Sequence, residues 1–420
     1  MVNGVERGQV GKKLPKGWKR VSLGDLCTIQ NGYAFKSSTF VKQGIPVIKM
    51  GNIAKDCRLK WNPELLSYLP ESHLSLHSEF VIAKNDLLIT LTDMSPSGEY
   101  LGTVAMYDQN IPALLNQRVG KFISISNELD IRYLYFRLCT KDFKRYATCD
   151  NTGNLRKNTN PEYLQKYKFS LPPLPEQKRI VGILSDRLST IDKARAAAAA
   201  QLKAAKALPA TYLRQVFDSP EAQKWKEVTI DDISSFITDG PHITPTYVSK
   251  GIPFLTIRNI VKRKIDLSQV SYISEEDHSQ YIRRVKAEKG DILYTKDGTL
   301  GVPCVVDTDL EFSFFVSVAI IKLLKDRANP YFIAFALDSP QVLKQVEQLG
   351  AGAGLKHMVI RSIKALKVRL PSTKEQEKIV RQLSEKMLRV EQLQQSLQSQ
   401  LHTINKLPAA LLRQAFNGEL

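Results

Sequence analysis

The amino-acid sequence of this chain repeats itself. Residues 171–217 match residues 370–416 at a constant offset of 199 without a gap, and both copies contain Leu-Pro, Glu-Gln and Ile-Val and end in Leu-Arg-Gln-x-Phe. A second match lies upstream, where Trp-Lys-x-Val, Gly-Ile-Pro and Asn-Ile recur at an offset of 207, starting from Trp18 and Trp225. This pattern indicates a tandem duplication in which a globular unit is followed by a helix, twice over.

The charge balance favours a polyanionic partner. The 420 residues carry a formal net charge of +18 and the pI is near 9.5. A chain of this length can bury the cores of roughly two to four domains. Because no amphipathic or lipidation signal favours a membrane surface, nucleic acid is the expected partner.

Cysteine usage and hydropathy predict a cytoplasmic protein that does not contact a membrane. The five cysteines are widely spaced, form no C-x-x-C pair and have no histidine at zinc-ligand spacing, so we expect reduced thiols and no metal site. The first 20 residues are polar and lack the apolar core of a signal peptide. No run of 18 apolar residues is present that would predict a membrane span.

The predicted fold class is α+β, with two similar domains at 1–173 and 218–371 and a long helix after each. Short apolar runs between Gly, Pro and Ser turns predict strands, and a helix-like segment follows late in each domain. The predicted strands are 46–50, 86–90, 121–125, 253–257, 291–295 and 314–323, and the predicted helices are 130–143 and 330–348.

The segments 174–217 and 372–420 are predicted to be spacer helices. Pro175 suits the opening turn of the first, and Ser372 with Glu375 forms a capping box at the second. Residues then alternate four and three apart, which is the a/d seam of a coiled coil of about 30 residues and about 45 Å. The seam comprises Leu184, Leu188, Ile191, Arg195, Ala198, Leu202 and Ala205 in the first helix, and Leu383, Met387, Val390, Gln394, Leu397, Leu401 and Ile404 in the second.

We expect the two helices to pack as an antiparallel coiled coil in a pseudo-twofold arrangement. Arg195 and Gln394 are polar interruptions at equivalent positions midway along their seams. In an antiparallel pair they could meet and fix the register of the helices. The alternative is that both side chains reach solvent.

Motifs for catalysis are weak throughout. Segment 160–163, Asn-Pro-Glu-Tyr, resembles the N-P-P-Y motif of amino-methyltransferases but lacks the second proline, and no glycine-rich cofactor loop precedes it. Segment 350–356 resembles a phosphate loop but has no Ser or Thr after its lysine. His242 has no Ser or Cys nucleophile at a telling spacing. We therefore predict no catalytic residue.

Two loops at equivalent positions combine glycine with basic residues. Segment 151–157 keeps the glycine, leucine and basic residue of segment 350–356. Glycine permits close approach of the backbone, and Arg or Lys binds phosphate oxygens, so both loops are candidate DNA contacts. The alternative is an ordinary solvated loop.

Taken together, these features resemble the specificity (S) subunit of Type I restriction–modification systems over essentially the whole chain. The resemblance rests on the Trp-x-x-Val starts, the Gly-Ile-Pro turns, the Lys-x-Asp-Leu/Ile-Leu strands at 84–88 and 289–293, the segment 171–177 (Leu-Pro-Pro-Leu-Pro-Glu-Gln) and the Leu-Pro…Leu-Arg-Gln…Phe helix ends. The second helix start, 371–375, departs from the Pro-Leu-Pro spelling, which puts partner docking there in doubt.

The resemblance implies two target recognition domains, each reading half of a split, asymmetric site in double-stranded DNA. The helices would set the spacing between half-sites and dock two modification (M) subunits, which methylate adenine with S-adenosylmethionine. A restriction (R) subunit would add cleavage driven by ATP and Mg²⁺. This chain itself would be non-catalytic and would bind no cofactor.

Candidate DNA contacts are basic side chains in or beside predicted loops, where Lys and Arg would supply salt-dependent affinity and base-edge contacts would add specificity. They are Lys36, Arg118, Arg156 and Lys157 in the first domain, and His242, Arg258, Lys296, Lys356 and His357 in the second. Two other functions stay open: the recognition half of a split or degenerate methyltransferase, and a coiled-coil scaffold that binds DNA or an acidic protein without sequence preference.

Overall fold

The computed structural model describes residues 14–95, 98–149, 157–261, 263–349 and 357–420. The chain forms two compact units. Unit 1 is drawn from Met1–Ala197 and Gln400–Leu420, and unit 2 from Ala198–Ser399. Each long helix is therefore divided near its middle between the two units, whereas the domain boundaries predicted from sequence lie at the helix starts.

Unit 1 combines short strands with helices. Its strands are β1 (Lys19–Ser22), β2 (Thr28–Asn31), β3 (Ile45–Ile48), β4 (Ser67–Leu69), β5 (Val81–Ile82), β6 (Leu87–Thr90), β7 (Thr92–Asp93), β8 (Val104–Met106), β9 (Ala113–Leu115), β10 (Val119–Ile123), β11 (Lys157–Asn158) and β12 (Lys168–Leu171). Its helices are α1 (His73–Leu76), α2 (Ile131–Leu138), α3 (Lys141–Cys149), α4 (Pro161–Gln165) and the first half of α5 (Leu174–Phe217).

Unit 2 follows the same plan. Its strands are β13 (Lys226–Thr229), β14 (Ser234–Asp239), β15 (Tyr247–Val248), β16 (Ile252–Leu255), β17 (Ile260–Val261), β18 (Lys264–Ile265), β19 (Ser271–Ile273), β20 (Ile292–Thr295), β21 (Pro303–Val305), β22 (Ser313–Phe314), β23 (Val318–Leu323) and β24 (Lys367–Leu370). Its own helices are α6 (Glu275–Ile282), α7 (Pro330–Leu337), α8 (Pro340–Leu349), α9 (Ile360–Lys364) and the first part of α10 (Thr373–Phe416).

The sheets of the two units correspond closely, except that the second sheet ends in β5 beside β9 in unit 1 and in β15 beside β19, at the opposite edge, in unit 2. One four-stranded sheet has the order β2-β10-β6-β8 in unit 1 and β14-β23-β20-β21 in unit 2. A second has the order β4-β3-β9-β5 in unit 1 and β15-β19-β16-β22 in unit 2, and each contains one parallel pair, β3 with β9 and β16 with β22. The α+β tandem repeat predicted from the sequence is confirmed.

Each helix predicted late in a domain is broken in two. Segment 130–143 forms α2 and α3, and segment 330–348 forms α7 and α8. At the breaks, the hydroxyl of Thr140 donates to the carbonyl of Arg137 and that of Ser339 donates to Ala336. A short hydroxyl side chain that binds the backbone competes with the helical ladder, which explains the shared break.

A buried glutamine fastens the start of each long helix. Gln177 and Gln376 are both 0% exposed. The Gln177 amide accepts a hydrogen bond from the Asp130 N–H at 2.8 Å and donates to the carbonyls of Glu128 and Pro172. Gln376 makes the same three bonds with Asn329, Arg327 and Pro371. The repeated Glu-Gln motif thus ties α5 to α2 and α10 to α7.

The far end of each long helix packs into a domain core. In unit 1 the core includes the last residues of α10, and the ring of Phe416 lies 5.4 Å from that of Tyr133. In unit 2 the core includes the last residues of α5, and the ring of Phe217 lies 5.5 Å from that of Phe332. The repeated Leu-Arg-Gln-x-Phe motif therefore joins the domain from the other repeat in each case.

Within each unit the two helical segments run antiparallel. In unit 1, Arg179 donates to the Leu420 carbonyl at 2.8 Å, while Ile191 and Leu407 line one apolar groove. In unit 2, Gln394 contacts Ala205 and the Lys386 ammonium lies 5.0 Å from the Tyr212 ring. Leu184, Leu202, Leu383, Val390 and Leu397 of the predicted seam are buried, and Leu188, Ile191, Met387 and Leu401 are half-buried.

Each polar seam residue has a partner within its own unit, and the hypothesis that the two residues fix the register together stays a prediction. Arg195 pairs with Asp192 on its own helix at 3.1 Å. Gln394 donates to the carbonyl of Ala205 at 2.9 Å. That carbonyl would normally accept from residue 209, which is a proline inside α5 and has no N–H. Gln394 therefore satisfies a carbonyl that Pro209 leaves free.

Among the described residues, no helix combines the length and apolar character that crossing a membrane requires.

Candidate nucleic-acid interface

Two of the candidate cations in unit 1 lie in loops between strands. Lys36 is exposed immediately before the turn Ser37–Thr39. Arg118 is half-buried, with its guanidinium against the Met94 sulfur at 2.6 Å. Nearby, the Lys49 ammonium donates to the Ser67 hydroxyl and lies 4.1 Å from the Phe40 ring centroid, and burial lowers its pKa. In this part of unit 1, Lys49 therefore lies beside an aromatic ring.

Three candidates fall on loops whose side chains lie outside the described residues. Arg156 and Lys356 belong to the segments 150–156 and 350–356, and the side chain of Lys157 is likewise not described. The Lys157 backbone pairs with Asp93 in β11 and β7. The assignment of these three residues to a DNA contact stays a prediction.

In unit 2, three candidates are accessible. Arg258 is exposed in the turn Ile257–Asn259. His242 is 66% exposed, with its Nε2 3.6 Å from the Asp239 carboxylate. His357 is also exposed and its Nδ1 contacts the Asp297 carboxylate. Each of the three can reach a ligand at the surface.

Lys296 requires a correction, because it is an internal residue. Its side chain is only 3% exposed and lies 3.5 Å from Asp239 and 3.4 Å from Asp297. Its backbone takes the position of Leu91 in unit 1. In both residues the N–H donates to the loop that precedes the next strand of the sheet, and the carbonyl accepts from the segment that follows the glycine-containing loop. The sequence identified a basic residue beside a loop, but the side chain of Lys296 points into the domain, where it pairs with Asp239 and Asp297.

These contacts join several charged residues of unit 2 into one cluster. Asp239, at the end of β14, accepts from Arg284 at 2.8 Å and faces Lys296 and His242. Asp297 faces Lys296 and His357. Two carboxylates thus alternate with a lysine, an arginine and two histidines, so buried charges are compensated while basic side chains remain at the surface.

Beside this cluster lies a cleft of about 330 Å³. One wall is the loop 240–243, and the opposite wall is formed by Gln280, Tyr281 and Arg284 from the end of α6 and the turn after it. Burial, with smaller effects of Asp277 and Tyr247, raises the pKa of Tyr281, so its phenol stays protonated. The cleft therefore offers guanidinium, amide and phenol donors around an apolar floor.

The corresponding face of unit 1 is filled with rings. The loop after β2 contributes Tyr33 and Phe35, and the segment after β4 contributes His73, His77 and Phe80. The Tyr33 and His77 rings are 4.3 Å apart, and those of Tyr33 and Phe80 are 5.3 Å apart. The two units therefore share this location but differ in its chemistry.

Each of these two faces is positioned by a loop glycine whose role was not predicted from the sequence. A Cβ at Gly32 would lie 2.4 Å from the carbonyls of Leu115 and Asn116, and one at Gly240 would lie 2.0 Å from the carbonyl of Phe314. Only glycine permits this close approach of the loop to the neighbouring strand. The signal was present in the repeated Asn-Gly and Asp-Gly steps at 31–32 and 239–240.

In the described ranges, no three His, Cys, Asp or Glu side chains come together in a way that could hold a metal ion. Asp239 and Arg284, which form an ion pair at 2.8 Å in the cleft, were absent from the sequence-based candidates. The sequence could not identify them, because Arg284 and Asp239 come into contact only when the turn after α6 packs against the end of β14.

A family model described as the Type I restriction modification DNA specificity domain matches this chain twice, at residues 15–203 and 222–401. The EcoBI specificity subunit of a Type I restriction enzyme from Escherichia coli is 26% identical over 429 residues, covering 96% of this chain and 86% of that protein. The EcoKI specificity subunit from Escherichia coli K12 is 23% identical, covering 97% of this chain and 90% of that protein.

Solved structures share the fold. A chain from a study of complex assembly and conformational transition of the type I R-M system aligns with a TM-score of 0.75 at 18% identity, covering 97% of this chain and 100% of that chain. The HsdS subunit from Thermoanaerobacter tengcongensis aligns with a TM-score of 0.61 at 19% identity, covering 98% and 100%.

Proposed function

This chain belongs to the family of the Type I restriction modification DNA specificity domain, and from that membership we propose that it selects the target sequence for a Type I restriction–modification complex. Its function is sequence-specific recognition of double-stranded DNA. Each unit reads one half of a bipartite, asymmetric site. The chain is the non-catalytic specificity component, and the chemistry resides in its partners.

The observation that carries the proposal is a duplicated frame with two different faces. The buried glutamines 177 and 376 and the loop glycines 32 and 240 are the same in both units. The face beside each loop glycine carries aromatic rings in unit 1 and a charged cleft in unit 2. Two units that bind the same kind of polymer but read different bases need a common scaffold with different base-contacting residues.

The net charge of +18 supplies the sequence-independent part of binding. Lysine and arginine contacts with phosphates release counterions, so affinity falls steeply as salt rises, while contacts with base edges distinguish the correct site. We assign Lys36, Arg118, Arg258, His242 and His357 to this interface, together with the predicted contacts Arg156, Lys157 and Lys356.

The partners and cofactors follow from the same proposal. Two modification subunits dock on this chain and methylate adenine with S-adenosylmethionine, and a restriction subunit uses ATP and Mg²⁺. The long helices set the distance between the half-sites. The complex acts on DNA in the cytoplasm. The alternatives of a degenerate methyltransferase and of a non-specific scaffold are not favoured by the twofold family match.

A binding selection tests the proposal. The purified complex of this chain with its modification subunit is incubated with duplex DNA that contains a randomised region, and the retained DNA is sequenced. We expect two short constant blocks separated by a gap of constant length and free sequence. Retained DNA with no sequence preference, over a range of salt concentrations, would instead support the scaffold.

A further inference from the structure

Arg284 is an anchored cation at the cleft of unit 2. Its Nη2 donates to the Asp239 carboxylate at 2.8 Å, and its Nη2 and Nε lie 3.1 and 3.4 Å from the Thr238 hydroxyl. The side chain is nevertheless 50% exposed. One edge of the guanidinium is thus held by the end of β14, and no described residue pairs with Nη1.

The anchor is itself held on its other side. The Asp239 side chain is only 8% exposed and its second oxygen lies 3.5 Å from the Lys296 ammonium. Lys296 is internal, so it cannot leave this carboxylate for a solvent-exposed partner. Burial of a lysine where unit 1 has a leucine is costly, and the cost is offset only because Asp239 and Asp297 compensate its charge.

Nη2 donates to both Thr238 and Asp239, and Nε also faces Thr238, so Nη1 is the guanidinium nitrogen that remains for a ligand. Nη1 carries two N–H groups, and guanine presents two neighbouring acceptors, N7 and O6, at its major-groove edge. Because Asp239 and Thr238 already restrict the rotamer, less conformational entropy is lost when Nη1 binds.

The position of Arg284 is also where a base-reading residue is expected. It lies on the face where the two units differ, beside the loop 240–243 and the exposed His242. Among the described residues, the corresponding face of unit 1 carries the rings of Tyr33, Phe35, His73, His77 and Phe80 where unit 2 has Arg284. A difference of this kind, on an otherwise repeated frame, is what two distinct half-sites require.

We propose that Arg284, oriented by Asp239, reads a guanine in the half-site that unit 2 recognises, by donating hydrogen bonds from Nη1 to N7 and O6 of that base. This inference rests on the proposed function. Lys296 is a positioning residue that acts through Asp239. The competing assignments are a phosphate contact and an ion pair that only stabilises the fold.

The test is a binding selection from randomised duplex DNA with the complex of this chain and its modification subunit. The variants are Arg284→Ala, Arg284→Lys, Asp239→Asn and, as a matched control, Arg283→Ala. Arg283 is the adjacent arginine, is exposed and has no ion pair with a described residue. The block read by unit 1 is the internal reference for correct folding in every variant.

We expect wild type to require a guanine at one position of the block read by unit 2. Arg284→Ala should remove that preference and weaken binding to the guanine-containing site by about 10- to 100-fold, the value of one bidentate base contact. Arg284→Lys should lose most of the preference, because an ammonium has three donors and cannot bind Thr238 and Asp239 while it also donates to both base acceptors. Asp239→Asn should reduce the same preference, and Arg283→Ala should leave it unchanged.

Two outcomes overturn the inference. If Arg284→Ala weakens binding equally at all sites and Arg284→Lys restores it, the residue is a phosphate contact. If no variant changes the preference at any base while both blocks persist, Arg284 only stabilises the fold. Failure of the proposed function is distinguishable, because wild type itself would then select no bipartite sequence.

Discussion

Gln177 and Gln376 each satisfy three buried main-chain groups, and neither was identified from sequence as important. A single glutamine side chain provides one acceptor and two donors, which match the free N–H of the next helix start and two carbonyls in the preceding turns. Glutamate would replace the donors with a second acceptor. The glutamine of the repeated Glu-Gln motif is therefore explained by these hydrogen bonds, and the motif is not a sign of catalysis.

Replacing Gln177 with leucine should destabilise unit 1. The change leaves the Asp130 N–H and two carbonyls buried without partners, at a cost of about 3 kcal/mol in the free energy of unfolding. Thermal unfolding of the purified chain, combined with amide hydrogen exchange, measures the effect and locates it. Lys178→Leu, at an exposed neighbouring position on the same helix, is the control. Equal stability of the two variants would contradict the assigned role.

At the residue scale, sequence could predict which positions are shared but not which side chains reach the surface. Lys296 was assigned to DNA because basic residues beside loops usually face solvent, yet β20 leads it inward to Asp239 and Asp297. Arg284 was missed for the opposite reason. Its significance depends on a carboxylate 45 residues away in sequence, a contact that exists only after folding.

At the scale of elements, segments 174–217 and 372–420 were predicted as helices, but the spacing of apolar residues accounts for only part of each helix. The predicted seam covered about 30 residues, whereas α5 and α10 each contain 44 residues. The additional turns pass through Pro209 and Pro408, which ordinarily indicate a helix end. In α5 the carbonyl that the proline frees is satisfied by Gln394 from the other helix, which a single-helix pattern cannot reveal.

This relation between Gln394 and Pro209 predicts a non-additive pair of substitutions. Gln394→Leu should lower the stability of unit 2 by about 1–2 kcal/mol, because the Ala205 carbonyl loses its partner. In a Pro209→Ala background the restored N–H of residue 209 takes that role, and the same change should cost little. A double-mutant cycle of thermal unfolding measures the coupling. Equal costs in both backgrounds would show that the amide serves another purpose.

At the scale of the whole molecule, the order of the segments along the chain does not match the unit in which each segment packs. The end of α10 follows unit 2 in sequence but belongs to the core of unit 1, and the end of α5 belongs to the core of unit 2. The helix-end motif is nearly identical in both copies, so sequence comparison could not assign each end to its domain. The tandem α+β repeat was predictable because the repeated segments are long, but this exchange of ends was not.

The exchange makes a pair of matched predictions. Phe416→Ala should destabilise unit 1 and Phe217→Ala should destabilise unit 2, each by about 3–5 kcal/mol, because both rings are buried against an aromatic residue. Hydrogen exchange resolved by segment should show lost protection in α2 for the first variant and in α7 for the second. The reverse assignment, with Phe416→Ala felt in α7, would contradict the packing described.

The central claim is that this one chain determines a two-part target sequence, and methylome sequencing tests it most directly. A host that expresses the chain with its modification subunit is compared with a host that expresses the modification subunit alone. We expect a methylated-adenine motif of two constant blocks, separated by a fixed gap, only when the chain is present. Identical methylation in the two hosts, with both proteins expressed and associated, would contradict the claim.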